Sequence, residues 1–233
     1  MTHSDIKIKF LIEYDKMTTT SSYPSLTDYE IATVLDKAYN AVIANKLTGN
    51  NPRRVAFEGD IKAIEDIRPL IVTKNIEKAD FNGKNKMAYN LDTMSNDQDV
   101  RLMYYLQSCV NIKGNKVNTY LISHQDAQRF EETDTNKPWI STPVLYLENH
   151  FIYLLFDSFK YNYNDVNDLE CTFIKKPKPF VLPGLQCDFE DTTYFELNDN
   201  VAQEIINMAI IMSAEIVESQ RLSTKTSINS FES

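Results

Sequence analysis

The spacing of apolar residues changes twice along the chain, and this limits the possible folds more than any other feature. Up to about residue 74, apolar side chains recur at the interval of one helix face. From about residue 100 to 195 they alternate, as in β-strands, and after about residue 197 the helical interval returns. The sequence therefore predicts an α+β fold, with an N-terminal helical bundle joined by a C-terminal helix and a β-rich middle region.

These changes also predict the organisation of the chain. Residues 1–74 are expected to form the bundle, 75–196 the β-rich region, 197–222 the C-terminal helix that returns to the bundle, and 223–233 a flexible polar tail. The 233 residues, 42% of them hydrophobic, are enough for a sizeable core. Apolar stretches fall well short of the roughly 20 residues that span a bilayer, and no signal peptide is recognised, so assembly in a cytoplasm is expected.

Three helices are predicted near the N-terminus. The clearest runs from about Asp28 to Leu47, because Thr27 and Glu30 have the spacing of a capping box. Its buried face is predicted from the helical spacing of Ile31, Leu35, Ala38 and Val42.

The other two helices are predicted from weaker signals. The first is expected to follow an N-cap at Ser4 and to bury Ile8, Leu11 and Ile12. The third is expected to open at Pro52, with an apolar face that extends toward Ile71. Pro69 must kink or end that helix, because proline lacks the backbone N–H and clashes with the preceding turn.

The middle region is predicted to contain strands and one short helix. Asn149-His150 is expected to form a hairpin turn, and Ser123 to cap a helix that reaches about Phe130. The predicted strands are 102–106, 119–122, 144–147, 152–156 and 171–174.

Residues that could carry chemistry are few. Cys109, Cys171 and Cys187 have no CxxC spacing, so neither a zinc site nor a disulfide framework is expected. His124 is interpreted as part of a helix start rather than as a catalytic partner of Cys109. The acidic residues 188, 190 and 191 do not match a calcium loop, and there is no phosphate-binding glycine motif. The sequence therefore predicts no catalytic residue, no metal ligand, no cofactor and no enzyme.

Two stretches are candidates for contacts between subunits. The C-terminal helix is apolar over a wide arc, which indicates a neighbouring subunit or complete packing inside its own bundle. Its candidate interface residues are Ile205, Ile206, Ala209, Ile210, Ser213, Val217 and Arg221. The basic residues Lys175, Lys176 and Lys178 are the second candidate, with a solvated strand end or a DNA contact as alternatives. The net charge of −9 argues against tight binding of nucleic acid.

Four sequence blocks, in order along nearly the whole chain, carry a family resemblance. The first comprises residues 10–16 (FLIEYDK) and 23–31 (YPSLTDYEI), and the second Phe57-Glu58 with 67–70 (IRPL). The third comprises 120–126 (YLISHQD) and 136–138 (NKP). The fourth comprises 172–179 (TFIKKPKP), 195–197 (FEL) and 216–221 (IVESQR). In these blocks the chain resembles the head-to-tail connector, or ring, proteins of crAss-like phages, which are short-tailed viruses of Bacteroides-type gut bacteria.

The resemblance implies a structural role in the virion. It implies a ring of about twelve copies at the portal vertex, in contact with the portal protein and with neighbouring connector or tail proteins. Genomic DNA would pass through the lumen without sequence-specific binding, and no membrane is involved. Another virion component, such as a tail hub, minor capsid or cargo protein, is the alternative, and a small cytoplasmic thiol-dependent hydrolase is a remote one.

Overall fold

The computed structural model describes residues 1–17, 25–48, 60–79, 86–91, 101–132, 142–156, 165–182 and 194–216. The helices in these ranges are α1 (His3–Met17), α2 (Asp28–Thr48), α3 (Ile61–Ile67), α4 (His124–Glu132) and α5 (Asp199–Ile216). The strands are β1 (Ile71–Ile76), β2 (Lys86–Asn90), β3 (Leu102–Ile112), β4 (Asn115–Leu121), β5 (Val144–Glu148), β6 (Phe151–Leu155) and β7 (Val166–Lys175). The predicted α+β class is confirmed. None of the described helices has the length and apolar character needed to cross a membrane.

The chain forms two compact units. Residues 1–70 and 177–233 make up the helical unit, and residues 71–176 make up the sheet unit. The sheet unit therefore begins and ends earlier than the predicted limits of 75 and 196. Residues 177–182 belong to the helical unit because their backbone N–H groups hydrogen-bond there: Phe180 donates to Asp36 at 2.9 Å, and Val181 donates to Nδ1 of His3 at 3.1 Å.

Helix α2 forms as its sequence predicts. The backbone N–H of Thr27 donates to the Glu30 carboxylate at 2.8 Å, and the N–H of Glu30 donates back to the Thr27 hydroxyl at 3.4 Å. This reciprocal pairing satisfies N–H groups that the first helical turn leaves without partners. The predicted face is buried, and α2 packs along α5.

Helix α1 differs from its prediction in its cap and in its buried face. Thr2, not Ser4, caps it, since the Thr2 hydroxyl accepts from the N–H of Asp5 at 3.1 Å. Ile8 and Ile12 are 55% and 48% exposed, whereas the buried side chains are His3, Ile6, Phe10 and Tyr14. Both sets have helical spacing, so spacing alone could not choose between them.

Helix α3 is shorter than predicted. Its N-cap is Asp60, whose carboxylate accepts from the N–H of Lys62 at 3.0 Å. The α-helix ends at Ile67, and a single 3-10 turn containing Pro69 follows it, which agrees with the expected effect of proline. The prediction for Ile71 is wrong, because this residue opens strand β1.

The sheet unit is a curled sheet of seven strands in the order β1-β7-β3-β4-β5-β6-β2. All neighbouring pairs are antiparallel except β4 and β5, which are parallel and joined through α4. Beyond the end of β1, Lys78 bridges to Tyr89 of β2, so the two edge strands approach each other. The curl encloses an apolar core that includes Ile76, Met87, Tyr89, Val110, Leu145, Leu154, Leu169, Cys171 and Phe173.

The predicted strands and the predicted short helix of the middle region are confirmed, with different limits. The hairpin at Asn149-His150 is also confirmed, and Asn149 has a φ of 52°. Strands β1 and β2 were not predicted. Several expectations lie outside the described residues: the helix start at Pro52, the cysteine at 187, the acidic residues 188, 190 and 191, interface residues Val217 and Arg221, and the tail 223–233.

Candidate functional site

The sheet unit has a polar groove on its outer face. Side chains alternate across a sheet, so the burial of Ile76, Val110 and Leu169 places their neighbours on the outside. The groove has a volume of about 700 Å³ and is formed by residues of β1, β3, β4 and β7 and by the residues next to these strands. Its lining is Asn75, Glu77, Lys78, Cys109, Asn111, Lys116, Asn167, Asp168 and Glu170.

Opposite charges meet across the groove. The ammonium of Lys116 lies 2.6 Å from the carboxylate of Glu170. The hydrogen bond to Glu170 is the main cause of a raised pKa for Lys116, and the nearby Cys109 adds to it. Burial lowers the pKa of Lys78, while the carboxylate of Asp168 acts in the opposite direction. The groove therefore presents carboxylate and amide oxygens, which accept hydrogen bonds, beside the ammonium groups of Lys78 and Lys116.

The residues considered for thiol chemistry have different surroundings. Cys109 lies in the groove beside Lys116, whereas the imidazole of His124 packs against the ring of Tyr146, with 5.4 Å between ring centroids. Cys171 lies in the core, where burial raises the pKa of its thiol to about 12. Within the described ranges, no three His, Cys, Asp or Glu side chains come together in a way that could hold a metal ion.

The opposite end of β7 is basic. Lys175 is the last residue of the strand, and the exposed Lys176 donates its backbone N–H to the carbonyl of Arg101 at 2.7 Å. This bond brings Arg101 next to the basic run, and the sequence does not predict that proximity because the two segments are far apart along the chain. Lys178 is also exposed, and it lies just beyond the sheet unit in sequence.

The candidate interface residues of α5 lie inside the helical unit. Ile205, Ile206, Ala209 and Ile210 have no exposed surface, and Ser213 has 1%. The helix packs against α2 and α1, which is the alternative that the sequence left open. A neighbouring subunit could not reach these side chains unless the helical unit opened.

The helical unit contains a buried group of charges. The ammonium of Lys46 lies 2.8 Å from Asp66 and 2.7 Å from Glu204, and its side chain is 13% exposed. Lys62, which is half exposed, lies 3.7 Å from Glu204. Burial lowers the pKa of Lys46, but the hydrogen bonds to the two carboxylates outweigh it and raise the pKa overall. This group ties α2, α3 and α5 together.

Some large apolar side chains remain on the surface. Ile8 and Ile12 form an exposed stripe on α1, and Tyr120 and Leu121 at the end of β4 are 58% and 47% exposed. Exposed apolar groups of this size are available for contacts with other proteins.

The surfaces that the structure offers are thus a polar groove and a basic end on the sheet unit, and an apolar stripe on the helical unit. The alternation of side chains along β7 predicts that Asp168 and Glu170 lie outside the core. Nothing in the sequence, however, shows that they lie near Glu77 in the structure, or that Arg101 lies near the basic run.

No protein-family model matches the chain, and no curated protein matches it at a significant level.

Proposed function

We propose that this protein is a non-enzymatic structural component of the virion of a short-tailed phage, a subunit of the ring that joins the portal to the tail. The observation that carries the proposal is the order of the four sequence blocks, which extend from residue 10 to residue 221. In this role the protein assembles as a ring of about twelve copies and lets DNA pass through the lumen.

The surface of the chain supports this proposal. Each contact between neighbours in a ring is heterologous, so two different faces of one chain must bind each other. The sheet unit carries a basic end and a polar groove, and the exposed apolar residues of α1 and β4 add further contact area. The net charge of −9 suits a wall along which DNA slides without being held.

The mass of the assembled protein tests the proposal. We expect the purified protein, alone or mixed with the portal protein of its own phage, to form a particle of about twelve chains, measured by light scattering and native mass spectrometry. A chain that stays monomeric in both conditions would contradict the ring role and favour another virion component.

A matched pair of variants examines the apolar stripe within the same experiment. Ile8→Ser/Ile12→Ser removes the stripe from the exposed face of α1, and Tyr29→Ser removes an aromatic side chain that is 69% exposed on α2. We expect the first variant to lower the assembled fraction or portal binding by about tenfold and the second to leave it unchanged. Circular dichroism verifies that both variants keep their helices.

The thiol-hydrolase alternative is tested separately. Cys109→Ala and His124→Ala each remove one of the two residues that such an enzyme would use. If the protein is structural, His124→Ala assembles and supports infection as the wild type does, and any defect of Cys109→Ala, which lines the polar groove, appears in assembly. Loss of infectivity with intact assembly in either variant would favour catalysis.

A further inference from the structure

We propose that neighbouring copies associate head to tail through the sheet unit, with the basic end of β7 in one copy seated in the polar groove of the next. This inference rests on the proposed ring function and identifies the two surfaces through which neighbouring copies bind each other in the ring. The basic end comprises Arg101, Lys175 and Lys176, and the groove is the one that contains Glu77, Asp168 and Glu170.

The two surfaces lie at opposite ends of one strand. Strand β7 has ten residues, and from Asp168 to Lys176 the chain covers about 26 Å at the rise of a β-strand. The pairing of Ile76 with Leu169 places the end of β1 beside the groove, and the pairing of Ile71 with Ile174 places its start at the basic end. Because both surfaces belong to the same unit, the spacing between them is set by the sheet itself.

The basic end carries only positive charges, whereas the groove carries an excess of one negative charge. The described residues around the basic end, 71–73, 101–104 and 173–176, include no Asp or Glu. The groove carries three carboxylates and two ammonium groups, and its three asparagines supply amide oxygens. Lysine and arginine side chains donate hydrogen bonds and accept none, so carboxylate and amide oxygens are the groups that they can bind across the contact.

A second copy of this chain is the occupant that the geometry favours. A surface that differs from its partner surface cannot form a two-fold contact with itself, so repetition of the contact produces a ring or a filament. Association through such exposed charges is weakened by salt, which predicts that the assembled fraction falls as ionic strength rises.

Two neutralised variants test the contact in the condition where the wild type assembles, alone or on the portal. Lys175→Ala/Lys176→Ala removes the basic end, and Glu77→Gln/Asp168→Asn neutralises the groove. We expect each to weaken assembly by at least about tenfold in the protein concentration required. Lys9→Ala/Lys37→Ala and Glu65→Gln/Glu148→Gln change the net charge equally at exposed positions elsewhere and should assemble normally.

Mixing the two neutralised variants separates a head-to-tail contact from any symmetric one. Each variant keeps one intact surface, so an equimolar mixture should give particles of two chains that cannot extend. A chain with both surfaces reversed, Lys175→Glu/Lys176→Glu with Glu77→Lys/Asp168→Lys, should assemble again.

Other outcomes overturn the inference. Normal assembly of both neutralised variants would refute this contact and leave the ring function standing. Intact assembly with loss of DNA retention in Lys175→Ala/Lys176→Ala would assign the basic end to DNA. A wild-type protein that never assembles would refute the ring function, and the contact with it.

Discussion

The two units keep their charges in different places. In the helical unit Lys46, Asp66 and Glu204 are buried together, and the buried His3 accepts a hydrogen bond from Val181. In the sheet unit the core cluster is apolar, and an ion pair such as the one between Lys116 and Glu170 lies at the surface. The helical unit should therefore respond strongly to loss of a charge or to pH, and the sheet unit to loss of core volume.

The different placement of charges follows from how the segments of each unit are held together. The helical unit brings together segments from both ends of the chain, and its charge pairs link α2 to α3 and to α5. A buried ion pair adds little net stability over a well-packed apolar pair, but removal of one partner leaves a costly unpaired charge. The sheet unit already has a ladder of backbone hydrogen bonds to fix its strands, so its core is mostly apolar, and the buried hydroxyls of Ser108 and Thr119 bond to each other.

The largest effect is expected in the core of the sheet unit. Phe173 is fully buried inside the curl, and Phe173→Ala should lower the free energy of unfolding by about 4 kcal/mol, because it removes apolar contacts and leaves a cavity. Urea unfolding followed by circular dichroism measures the change. Phe151→Ala, at a half-buried position of β6, is the control and should lower it by less than half as much. Equal losses would mean that the interior of the curl is not tightly packed.

A slightly smaller loss is expected from the charge group of the helical unit. Lys46→Ala leaves Asp66 and Glu204 close together without their shared cation, so the free energy of unfolding should fall by about 3 kcal/mol. Hydrogen exchange of peptides from α2 and α5 would locate the loss. Lys62→Ala removes an exposed partner of Glu204 and should lower the free energy by less than about 1 kcal/mol. A similar loss in both variants would remove the distinction between the buried and the exposed cation.

The sequence predicts correctly those structural features whose determining residues lie within a few positions of one another. The capping box of Thr27 and Glu30 and the turn at Asn149 act within a few residues, and both were predicted correctly. Strand β1 depends on pairing with β7, where Thr73 faces Thr172 ninety-nine positions away, so the sequence pattern assigns its first residue, Ile71, to the preceding helix instead. Tertiary pairing overrides local preference in such segments.

The candidate surfaces also could be predicted only where their residues are adjacent in sequence. The basic run at Lys175 and Lys176 is continuous in sequence and was recognised, whereas the groove collects residues from four separate strands. The wide apolar arc of α5 indicated burial, but the sequence could not show whether the covering surface came from the same chain. In the structure α1 and α2 provide that cover.

A pH effect is expected at the junction of α1 with residues 180–182. Burial is the main cause of a lowered pKa for His3, against the opposing effects of the Val181 hydrogen bond and of Glu196. The folded state therefore favours the neutral imidazole, and its stability falls as the pH drops below the unfolded value of 6.5. Each unit between the two pKa values corresponds to about 1.4 kcal/mol.

Urea unfolding at several pH values between neutral and mildly acidic measures this effect. His3→Gln should flatten the fall in stability over that range. His124→Gln, which removes an exposed histidine, should keep the wild-type slope. If both variants have the same slope as the wild type, His3 does not control the acid sensitivity of the helical unit.

The smallest effect is expected at a turn of the sheet unit. Asn149 has a φ of 52° in the β5–β6 hairpin, a left-handed conformation that asparagine and glycine tolerate better than alanine. Asn149→Ala should lower the free energy of unfolding by about 1 kcal/mol, whereas Asn149→Gly should change it by less than about 0.5 kcal/mol. Urea unfolding distinguishes the two. An equal loss in both variants would show that the asparagine side chain, rather than its backbone conformation, stabilises the hairpin.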